Sequence, residues 1–427
     1  MLNFLGALIL GSEVKCIEQL CDRIDYFPPG CCAVVPIRNR TRSIAIQSYY
    51  AVPCVADRFL TMPNAQSLIR EILIKSVEKR LMGNRQFGFM LSGGLDSSLI
   101  ASIATKLLIK KPIAFSVGFE DSPDLENARR VAEFLDIAHE VLVITPQECI
   151  DVVPEVIYAL ETFDPAIIQC GIPHYLLCKH IAKTSEVKVL LSGEGADELF
   201  GSYAYMQRAP NAFHLHKEIL RRLTHLHQYD VLRCDRSTSC HGLEIRVPFL
   251  DKRFIDLVAR LPPTYKLIPR KLEKFLLRSA FEGWLPEEVL WRSKEGFSEA
   301  LGWYTTTLVS CSILNNLCLG KTSIGDIIHQ HATTVISNRM FAERADRFPD
   351  RVPETPEEYW YRQIFEDTFH YGKVGPLVHT KIYRTAAWQI MEEKENIKDS
   401  LDVKQEMQAM MRLRRRSTGS TTLSGVA

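Results

Sequence analysis

Short apolar runs alternate with amphipathic segments between residues 63 and 191, and this alternation constrains the fold more than any other feature of the chain. The apolar runs are rich in Val, Ile, Leu and Phe, which is typical of parallel strands buried on both faces. They cover residues 86–91, 112–119, 139–144 and 187–191. Helical patterns cover residues 63–81, 97–108, 123–135, 147–160 and 172–183. Strand, helix and strand in this order predict an α/β fold, in which helices flank a parallel sheet.

The segments on either side of this alternation are organised differently. Residues 1–56 are expected to form a small β-rich piece around one short helix at 13–21. Its β patterns cover residues 4–10, 32–36 and 43–50. Residues 218–294 are predicted to be helical, and weaker patterns of the same kind follow residue 302. After residue 392 the chain becomes highly charged and then rich in Ser, Thr and Gly, which is typical of a flexible tail.

Composition places the chain among ordinary globular proteins and argues against some classes of partner. Of its 427 residues, 46% are hydrophobic and 24% are charged. Lys and Arg number 52 against 51 Asp and Glu, so the formal charge of +1 gives no overall attraction to nucleic acid or to an anionic membrane. The 12 cysteines include no Cys-x-x-Cys pair, which favours reduced thiols. Since no apolar stretch is long enough to cross a membrane, we expect a cytoplasmic protein.

Residues 92–98, here called the phosphate loop, follow a predicted strand and precede a predicted helix. Two glycines let the backbone approach an oxyanion, while the hydroxyls and the helix N-terminus supply donors at the same point. This arrangement predicts a nest for phosphate groups, with a tight turn capped by serines as the alternative. The loop is not a Walker loop, because no Gly-Lys-Ser/Thr follows. The residues predicted to bind nucleotide here are Ser92, Gly93, Gly94, Asp96, Ser97 and Ser98.

Residues 192–198, here called the acidic loop, also follow a predicted strand. They include three carboxylates within five residues: Glu194, Asp197 and Glu198. Ligands of open α/β sheets collect at the carboxyl ends of the strands, so we expect the two loops to face one pocket. Asp96 and Asp197 are therefore predicted to share a Mg²⁺ ion on a triphosphate. The alternative is a solvated acidic turn.

These two motifs resemble the ATP-pyrophosphatase domain of asparagine synthetases and of their relatives, the β-lactam synthetases. The first motif alone marks the wider group of PP-loop ATP pyrophosphatases, whose fold is adenine nucleotide α hydrolase-like. The resemblance is narrowed to the asparagine synthetases and β-lactam synthetases by residues 192–200, which read Ser-Gly-Glu-Gly-Ala-Asp-Glu-Leu-Phe. Further matching segments lie at 119–124, 229–233, 242–251 and 291–298. The resemblance covers residues 3–390.

The resemblance implies an ATP-dependent amide ligase that makes asparagine from aspartate. In this family the aspartate side chain attacks the α-phosphate of ATP, pyrophosphate leaves, and ammonia displaces AMP from β-aspartyl-AMP. Glu194 matches the base that takes a proton from the nitrogen nucleophile, and Lys294 matches a lysine that binds pyrophosphate. Asp230 and Arg233 match residues that line the pyrophosphate and intermediate pocket. Further ATP contacts are implied for Leu91, Val117, Ser192 and Gly193.

The N-terminal piece departs from the glutamine-dependent members of the family. These enzymes begin with a glutaminase domain whose nucleophilic cysteine follows the initiator Met, whereas Leu2 stands there in this chain. We therefore expect a glutaminase remnant at 1–56, a synthetase domain at 57–390 and a charged tail at 391–427. Ammonia would then be the nitrogen source. A glutaminase partner, a longer isoform and a homodimer stay open.

Gln169 is a second departure from the family pattern. Many relatives carry Thr-Thr-x-Arg where this chain has Ala-Ile-Ile-Gln at 166–169. An arginine there could hold a substrate carboxylate through two hydrogen bonds, which a neutral amide cannot imitate. Two alternatives to asparagine synthesis therefore stay open: adenylation of another acid, as in β-lactam synthetases, and an ATP-binding protein without activity. The retained carboxylates of both loops and Lys294 favour an enzyme.

Overall fold

The structure is a computed structural model that describes residues 8–35, 45–57, 59–120, 122–267, 272–292, 323–378 and 386. Its strands are β1 (Cys31–Val34), β2 (Ala45–Ser48), β3 (Phe87–Met90), β4 (Ile113–Gly118), β5 (Ala138–Val143), β6 (Val189–Leu191) and β7 (Glu244–Arg246). Its helices are α1 (Met62–Lys79), α2 (Leu95–Leu107), α3 (Pro123–Leu135), α4 (Pro146–Asp151), α5 (Val153–Leu160), α6 (Pro165–Thr184), α7 (Ala196–Phe200), α8 (Ala212–His225), α9 (Asp230–Ser239), α10 (Lys252–Arg260), α11 (Phe275–Ala280), α12 (Glu287–Leu290), α13 (Ile324–Val335), α14 (Asn338–Ala342), α15 (Arg344–Arg347), α16 (Pro356–Thr368) and α17 (Tyr371–Val374). Short 3₁₀ turns lie at Val14–Cys16, Glu18–Leu20, Ala204–Arg208, Leu226–Gln228, Pro248–Leu250, Pro263–Tyr265 and Gly375–Leu377.

Five parallel strands form the central sheet, in the order β5-β4-β3-β6-β7. β3 pairs in parallel with β4 on one side and with β6 on the other. The direction in which strands are added therefore reverses at β3. The loops that follow β3 and β6 leave the same edge of the sheet side by side. In open α/β sheets this switch point is where ligands bind.

Two hydrophobic cores cover the two faces of this sheet. Leu191 belongs to one core, together with Ile69 on the inner face of α1. Leu190 belongs to the other core, together with Ile168 of α6. Because successive residues of a strand point to opposite faces, β6 is buried on both sides, as its continuous apolar run predicts. The parallel α/β fold predicted from the sequence is confirmed.

Two helices differ from their predictions by more than a residue or two at their ends. The helix predicted at 147–160 is divided into α4 and α5. Pro154 has no N–H to continue the hydrogen-bond ladder across this junction. The helix predicted at 172–183 begins earlier, at Pro165, because Asp164 caps it by accepting a hydrogen bond from Ile167 N at 3.1 Å. The helix predicted at 123–135 has those bounds in the structure as α3.

The sheet differs from its prediction at both edges. β5 lies at one edge and is half-exposed, so the expectation that it is buried on both faces is wrong. β7 lies at the other edge and was not predicted, since Glu244 and Arg246 flank its single apolar residue. Edge strands have only one neighbour, and their sequences carry a weaker apolar signal for this reason.

The N-terminal segment packs onto the sheet without forming the helix predicted at 13–21. Two 3₁₀ turns lie there instead, because Ile17 between them has a φ of −130°, outside the helical region. Val14, Ile17, Cys21 and Ile24 join the core on the side of α5 and α6. β1 and β2 follow as an antiparallel hairpin.

Some of the predictions fall on residues that the structure does not describe. Of the strand predicted at 4–10, residues 4–7 lie outside the described residues, and Leu8 forms a single β-bridge. The tail predicted at 391–427 lies wholly outside them. Within the described ranges, no helix is both long and apolar enough to cross a membrane.

Candidate active site

The phosphate loop turns sharply between the end of β3 and the start of α2. Gly93 has a φ of +71°, and a Cβ added there would lie 2.6 Å from the backbone nitrogen of Ala128, so this position requires glycine. Ser92 Oγ and Ser97 Oγ lie 2.9 Å apart, and Ser97 Oγ also accepts from Ser92 N at 3.2 Å. Ser98 Oγ is buried and has no hydrogen-bond partner within the described ranges. Hydroxyls and the first N–H groups of α2 are thus gathered in one turn, as phosphate binding requires.

The acidic loop packs directly against the phosphate loop. A Cβ added to Gly193 would lie 2.6 Å from Ser97 N and 2.7 Å from Asp96 C, so only glycine permits this approach. Ser192 N donates to the carbonyl oxygen of Arg246 at 3.0 Å, which fixes the start of the loop to β7. The two loops therefore meet at the switch point of the sheet.

Lys274 lies between the two aspartates that were predicted to hold Mg²⁺. Its ammonium contacts Asp96 Oδ2 and lies 2.5 Å from Asp197 Oδ1. The side chain is buried, and the residue precedes α11 in a left-handed conformation with a φ of +56°. Burial alone would lower the pKa of Lys274, but the two carboxylates outweigh burial and raise this pKa above its ordinary value. Lys274 therefore stays charged, and both carboxylates lie within reach of one cation.

Glu194 of the acidic loop forms an ion pair with Arg233 of α9. Glu194 Oε1 lies 2.9 Å from Arg233 Nη2, which is also 3.6 Å from Asp230 Oδ1. Arg233 Nη1 lies 3.3 Å from His174 Nδ1. Burial, assisted by the charge of Arg233, lowers the pKa of His174 to about 3, so this imidazole is neutral and can accept from the guanidinium. Burial raises the pKa of Glu194, although Arg233 acts in the opposite direction.

A second group of buried polar side chains surrounds Asp230. Tyr203 Oη donates to Glu198 Oε1 at 2.5 Å and lies 3.5 Å from Asp230 Oδ2. The Arg222 guanidinium lies 4.5 Å from the centroid of the Tyr203 ring, and its Nη2 is 3.8 Å from Asp230 Oδ2. Burial and the charge of Asp230 raise the pKa of Glu198. Asp230 is thereby held between two arginines, Arg222 and Arg233.

The structure places most of the predicted site residues at one edge of the sheet. Leu91 follows β3, and its N–H donates to the carbonyl of Phe115 at 2.9 Å. Val117 lies near the carboxyl end of β4. Both residues are buried. Lys294, predicted to bind pyrophosphate, lies outside the described residues.

Gln169 of α6 is engaged with a second helix. Its Nε2 donates to Glu357 Oε1 of α16 at 2.5 Å. Burial raises the pKa of Glu357 to about 7, although the hydrogen bond from Gln169 acts against this change. The amide of Gln169 therefore joins α6 to α16 at the position where the family pattern has arginine.

The sequence interpretation missed Lys274, His174 and Tyr203. Lys274 is separated from Asp96 by 178 positions, so no local motif connects them. His174 lies in a helix whose apolar pattern gives no sign of a buried imidazole. One general signal was present: carboxylates gathered in a buried site require a cation nearby, which directs attention to the lysines of the helical half.

The family model for asparagine synthase matches residues 68–214 and 207–393. Glutamine-hydrolyzing asparagine synthetase 2 of Oryza sativa subsp. japonica is 37% identical over 380 residues, which are 85% of this chain and 60% of the rice protein. Glutamine-hydrolyzing asparagine synthetase 1 of Lotus japonicus is 36% identical over 405 residues, which are 90% of this chain and 65% of the Lotus protein. The chain thus spans less than two thirds of the length of these relatives.

Similarity to solved structures is weaker. The NH3-dependent NAD synthetase of Campylobacter jejuni aligns with 34% of this chain and 62% of its own, at 18% identity and a TM-score of 0.24. At this score the likeness has no bearing on function.

Proposed function

The chain belongs to the asparagine synthase family, and we propose that its phosphate loop and acidic loop form the active site of an ATP-dependent amide ligase. One observation carries this proposal. The two loops meet at the switch point of the parallel sheet, where Asp96 and Asp197 approach the same ammonium group. A phosphate nest next to paired carboxylates suits a nucleotide that is bound with a metal ion.

ATP would bind with its phosphates on the phosphate loop. The hydroxyls of Ser92 and Ser97 and the first N–H groups of α2 would donate to the phosphate oxygens. Donors that are already in place stabilise the charge that develops as pyrophosphate leaves. Lys274 supplies a fixed cation beside the same loop, in addition to the role that the family resemblance gives to Lys294.

Asp96 and Asp197 are the residues that would hold Mg²⁺. Their oxygens converge on one cation, the Lys274 ammonium, and this convergence supports the pair as candidate ligands of a divalent ion. No group of three or more His, Cys, Asp or Glu side chains suited to a metal occurs in the described part of the chain. The remaining ligands would therefore be phosphate oxygens and water, as is usual for Mg²⁺. Bound there, the ion would neutralise charge on the triphosphate.

Glu194 is the proposed general base for the nitrogen nucleophile. Ammonium has no lone pair, so a proton must be removed before nitrogen attacks the activated acid. Burial raises the pKa of Glu194 and so makes its carboxylate a stronger base than an exposed glutamate. Arg233 holds this carboxylate at 2.9 Å, and the neutral His174 helps to orient the guanidinium.

Aspartate is the proposed acid, and β-aspartyl-AMP is the proposed intermediate. A carboxylate oxygen of aspartate attacks the α-phosphorus of ATP, and the bond to pyrophosphate breaks. Ammonia then attacks the acyl carbon, and AMP leaves with the oxygen that came from aspartate. Asp230 and Arg233 would line the pocket of this intermediate. Residues 57–390 would form the synthetase domain, with the end of a glutaminase domain at 1–56 and a tail at 391–427.

Adenylation of a different acid is the second candidate, and Gln169 favours it. The side-chain amide of Gln169 is hydrogen-bonded to Glu357. Since the residue is not an arginine, this position of α6 offers no guanidinium for a second carboxylate of the substrate. Such an enzyme would keep the ATP chemistry of both loops and change only the acid.

Product analysis by mass spectrometry tests the proposal. With ATP, Mg²⁺, aspartate and ¹⁵N-labelled ammonium, the purified chain is expected to yield AMP, pyrophosphate and ¹⁵N-labelled asparagine. With glutamine as the only nitrogen source, asparagine formation is expected to be much slower. An amide formed from another acid in a panel, with none from aspartate, would establish the second candidate. Formation of ADP in place of AMP would contradict both candidates.

A further inference from the structure

A cavity of about 240 Å³ lies between the loop that precedes α6 and the start of α16. Phe163 and Pro165 line one part of it, and residues 351–354 line another. None of its lining residues belongs to the phosphate loop, the acidic loop or the cluster around Glu194. The volume lies just below the range of pockets that hold drug-sized ligands, about 300–1,000 Å³. The cavity therefore suits a small metabolite.

Arg362 of α16 places a buried cation on the wall of this cavity. The residue is 2% exposed, and its Nε donates to Glu366 Oε1 at 2.7 Å. Its guanidinium lies 3.4 Å from the centroid of the Tyr371 ring and 4.7 Å from that of Phe163. Over the ranges that the structure describes, Arg362 Nη1 has no hydrogen-bond partner.

Arg351 adds a second guanidinium to the wall. Its Nη1 donates to the carbonyl oxygen of Val378, and it forms no salt bridge with the carboxylates that the structure describes. Guanidinium groups match carboxylates in shape, because two N–H groups can donate in parallel to two oxygens. Two arginines on one small cavity therefore favour a ligand that carries a carboxylate.

Two carboxylates lie on the same cavity. Glu358 is buried, and its Oε2 accepts from the backbone N–H of Glu354 at 2.8 Å. Two guanidinium groups, two carboxylates and the apolar surface of Phe163 and Val352 match a ligand with one negative charge, one positive charge and a short side chain. We propose that this cavity is a binding site for a free α-amino acid, separate from the candidate active site.

α6 connects this cavity with the candidate active site. Its first residue, Pro165, lines the cavity, and its Gln169 is bonded to Glu357 of α16. The same helix carries His174, whose Nδ1 lies 3.3 Å from Arg233 Nη1. A ligand that fixes α16 against α6 would therefore also fix the support of Arg233. Binding of the amino acid is independent of the proposed function, whereas an effect on ligase rate rests on it.

Calorimetric titration of the full chain without ATP tests the site. The titrants are the twenty common amino acids. At least one amino acid is expected to bind with a stoichiometry of about one. The corresponding amine, which lacks the α-carboxylate of that amino acid, should not bind. Arg351→Gln and Glu354→Gln are each expected to weaken binding by at least tenfold, as both remove a charge from the cavity wall. Arg347→Gln is the matched control, since Arg347 is exposed on α15 and does not line the cavity, and its affinity should not change.

Glu194→Gln separates this site from the candidate active site. If the cavity binds the amino acid, Glu194→Gln should bind it as tightly as the unaltered chain. Loss of binding in Glu194→Gln together with full binding in Arg351→Gln would place the ligand in the active site and overturn the proposal. Absence of saturable binding for every amino acid would overturn it as well. Thermal unfolding verifies that each variant is folded. At least one of the two cavity variants, Arg351→Gln and Glu354→Gln, must be folded for the comparison.

Discussion

In the proposed mechanism, nitrogen transfer depends most directly on Glu194. Its carboxylate forms an ion pair with Arg233 at 2.9 Å. This pair keeps the carboxylate in one position, and burial keeps its pKa raised. An acceptor that is fixed and unusually basic is what removal of a proton from ammonium requires.

Glu194→Gln is expected to slow amide formation from ammonium by about 10²–10⁴-fold, because the amide can accept a hydrogen bond but cannot take a proton. Binding of ATP should change less than threefold. The measurement is the rate of amide formation under saturating ATP, acid and ammonium. Glu186→Gln is the control, since Glu186 is exposed just before β6 and should leave the rate unchanged. A Glu194→Gln rate within threefold of the unaltered chain would show that another group is the base.

The burial of Lys266 predicts an unusual dependence of the free energy of unfolding on pH. It is 4% exposed, and its Nζ has no hydrogen-bond partner among the residues described. Burial lowers the pKa of Lys266 to about 7 in the folded protein. Between this value and the ordinary lysine pKa of about 10.4, the unfolded chain binds more protons than the folded chain. The free energy of unfolding should therefore rise with pH across this window. Below pH 7 the folded protein should bear the full free-energy cost of burying the charged Lys266.

Lys266→Met is expected to increase the free energy of unfolding at pH 7 by about 2–4 kcal/mol, because it removes a desolvated amine. At pH 9.5 this increase in the free energy of unfolding should be clearly smaller, because burial of Lys266 costs less free energy at that pH. Urea unfolding followed by circular dichroism at both pH values measures the effect. Lys110→Met, at an exposed position before β4, should leave stability nearly unchanged at both. Equal gains for Lys266→Met at pH 7 and pH 9.5 would contradict a lowered pKa.

At the scale of elements, the close contact between the two loops is fixed by Gly193. A Cβ there would lie 2.6 Å from Ser97 N, and backbone atoms cannot yield as a flexible side chain can. Gly193→Ala is expected to displace the acidic loop and to weaken ATP binding by about tenfold or more, with unchanged far-UV circular dichroism. Equilibrium binding of a fluorescent ATP analogue measures this effect. Gly372→Ala in α17 is the control, because a Cβ there meets nothing within 4 Å, and it should bind ATP normally.

The elements that carry the site could be predicted from the sequence, and those that support it could not. β3 and β6 are apolar on both faces, and the motifs that follow them are local, so strand and loop are visible together. β7 was not predicted, because Glu244 and Arg246 interrupt its apolar character. The 3₁₀ turns near Ile17 escaped it because packing against α5 and α6 decides their conformation.

At the scale of the whole molecule, buried ion pairs join the N-terminal segment to the helices that cover the sheet. Arg236 Nη1 lies 2.5 Å from Glu161 Oε2, and Arg236 Nη2 donates to the carbonyl of Ser12 at 3.1 Å. The backbone N–H of Lys15 donates to Glu161 Oε1 at 2.7 Å. No sequence pattern connects these residues, because Lys15 lies 146 positions from Glu161, Arg236 lies 224 from Ser12, and Arg236 lies 75 from Glu161.

Arg236→Met is expected to lower the free energy of unfolding by about 3 kcal/mol, since it leaves the buried carboxylate of Glu161 without its main cation. Cleavage in the N-terminal segment by a protease at low concentration should also become faster. Arg130→Met removes an exposed arginine that is paired with Glu126, and it should cost less than about 1 kcal/mol. Urea unfolding of the two variants compares them directly. Equal stability of the two would show that the N-terminal segment is not coupled to the rest of the fold.

Transfer of ¹⁸O from the acid to AMP is the measurement that tests the central claim most directly. Aspartate labelled in its side-chain carboxylate is incubated with the chain, ATP, Mg²⁺ and ammonium, and AMP is analysed by mass spectrometry. If the two loops activate the acid as an acyl adenylate, each AMP formed carries one ¹⁸O atom, because AMP leaves with the oxygen that attacked the α-phosphorus. Unlabelled AMP, or ADP and phosphate in place of AMP and pyrophosphate, would contradict adenylation of aspartate at this site.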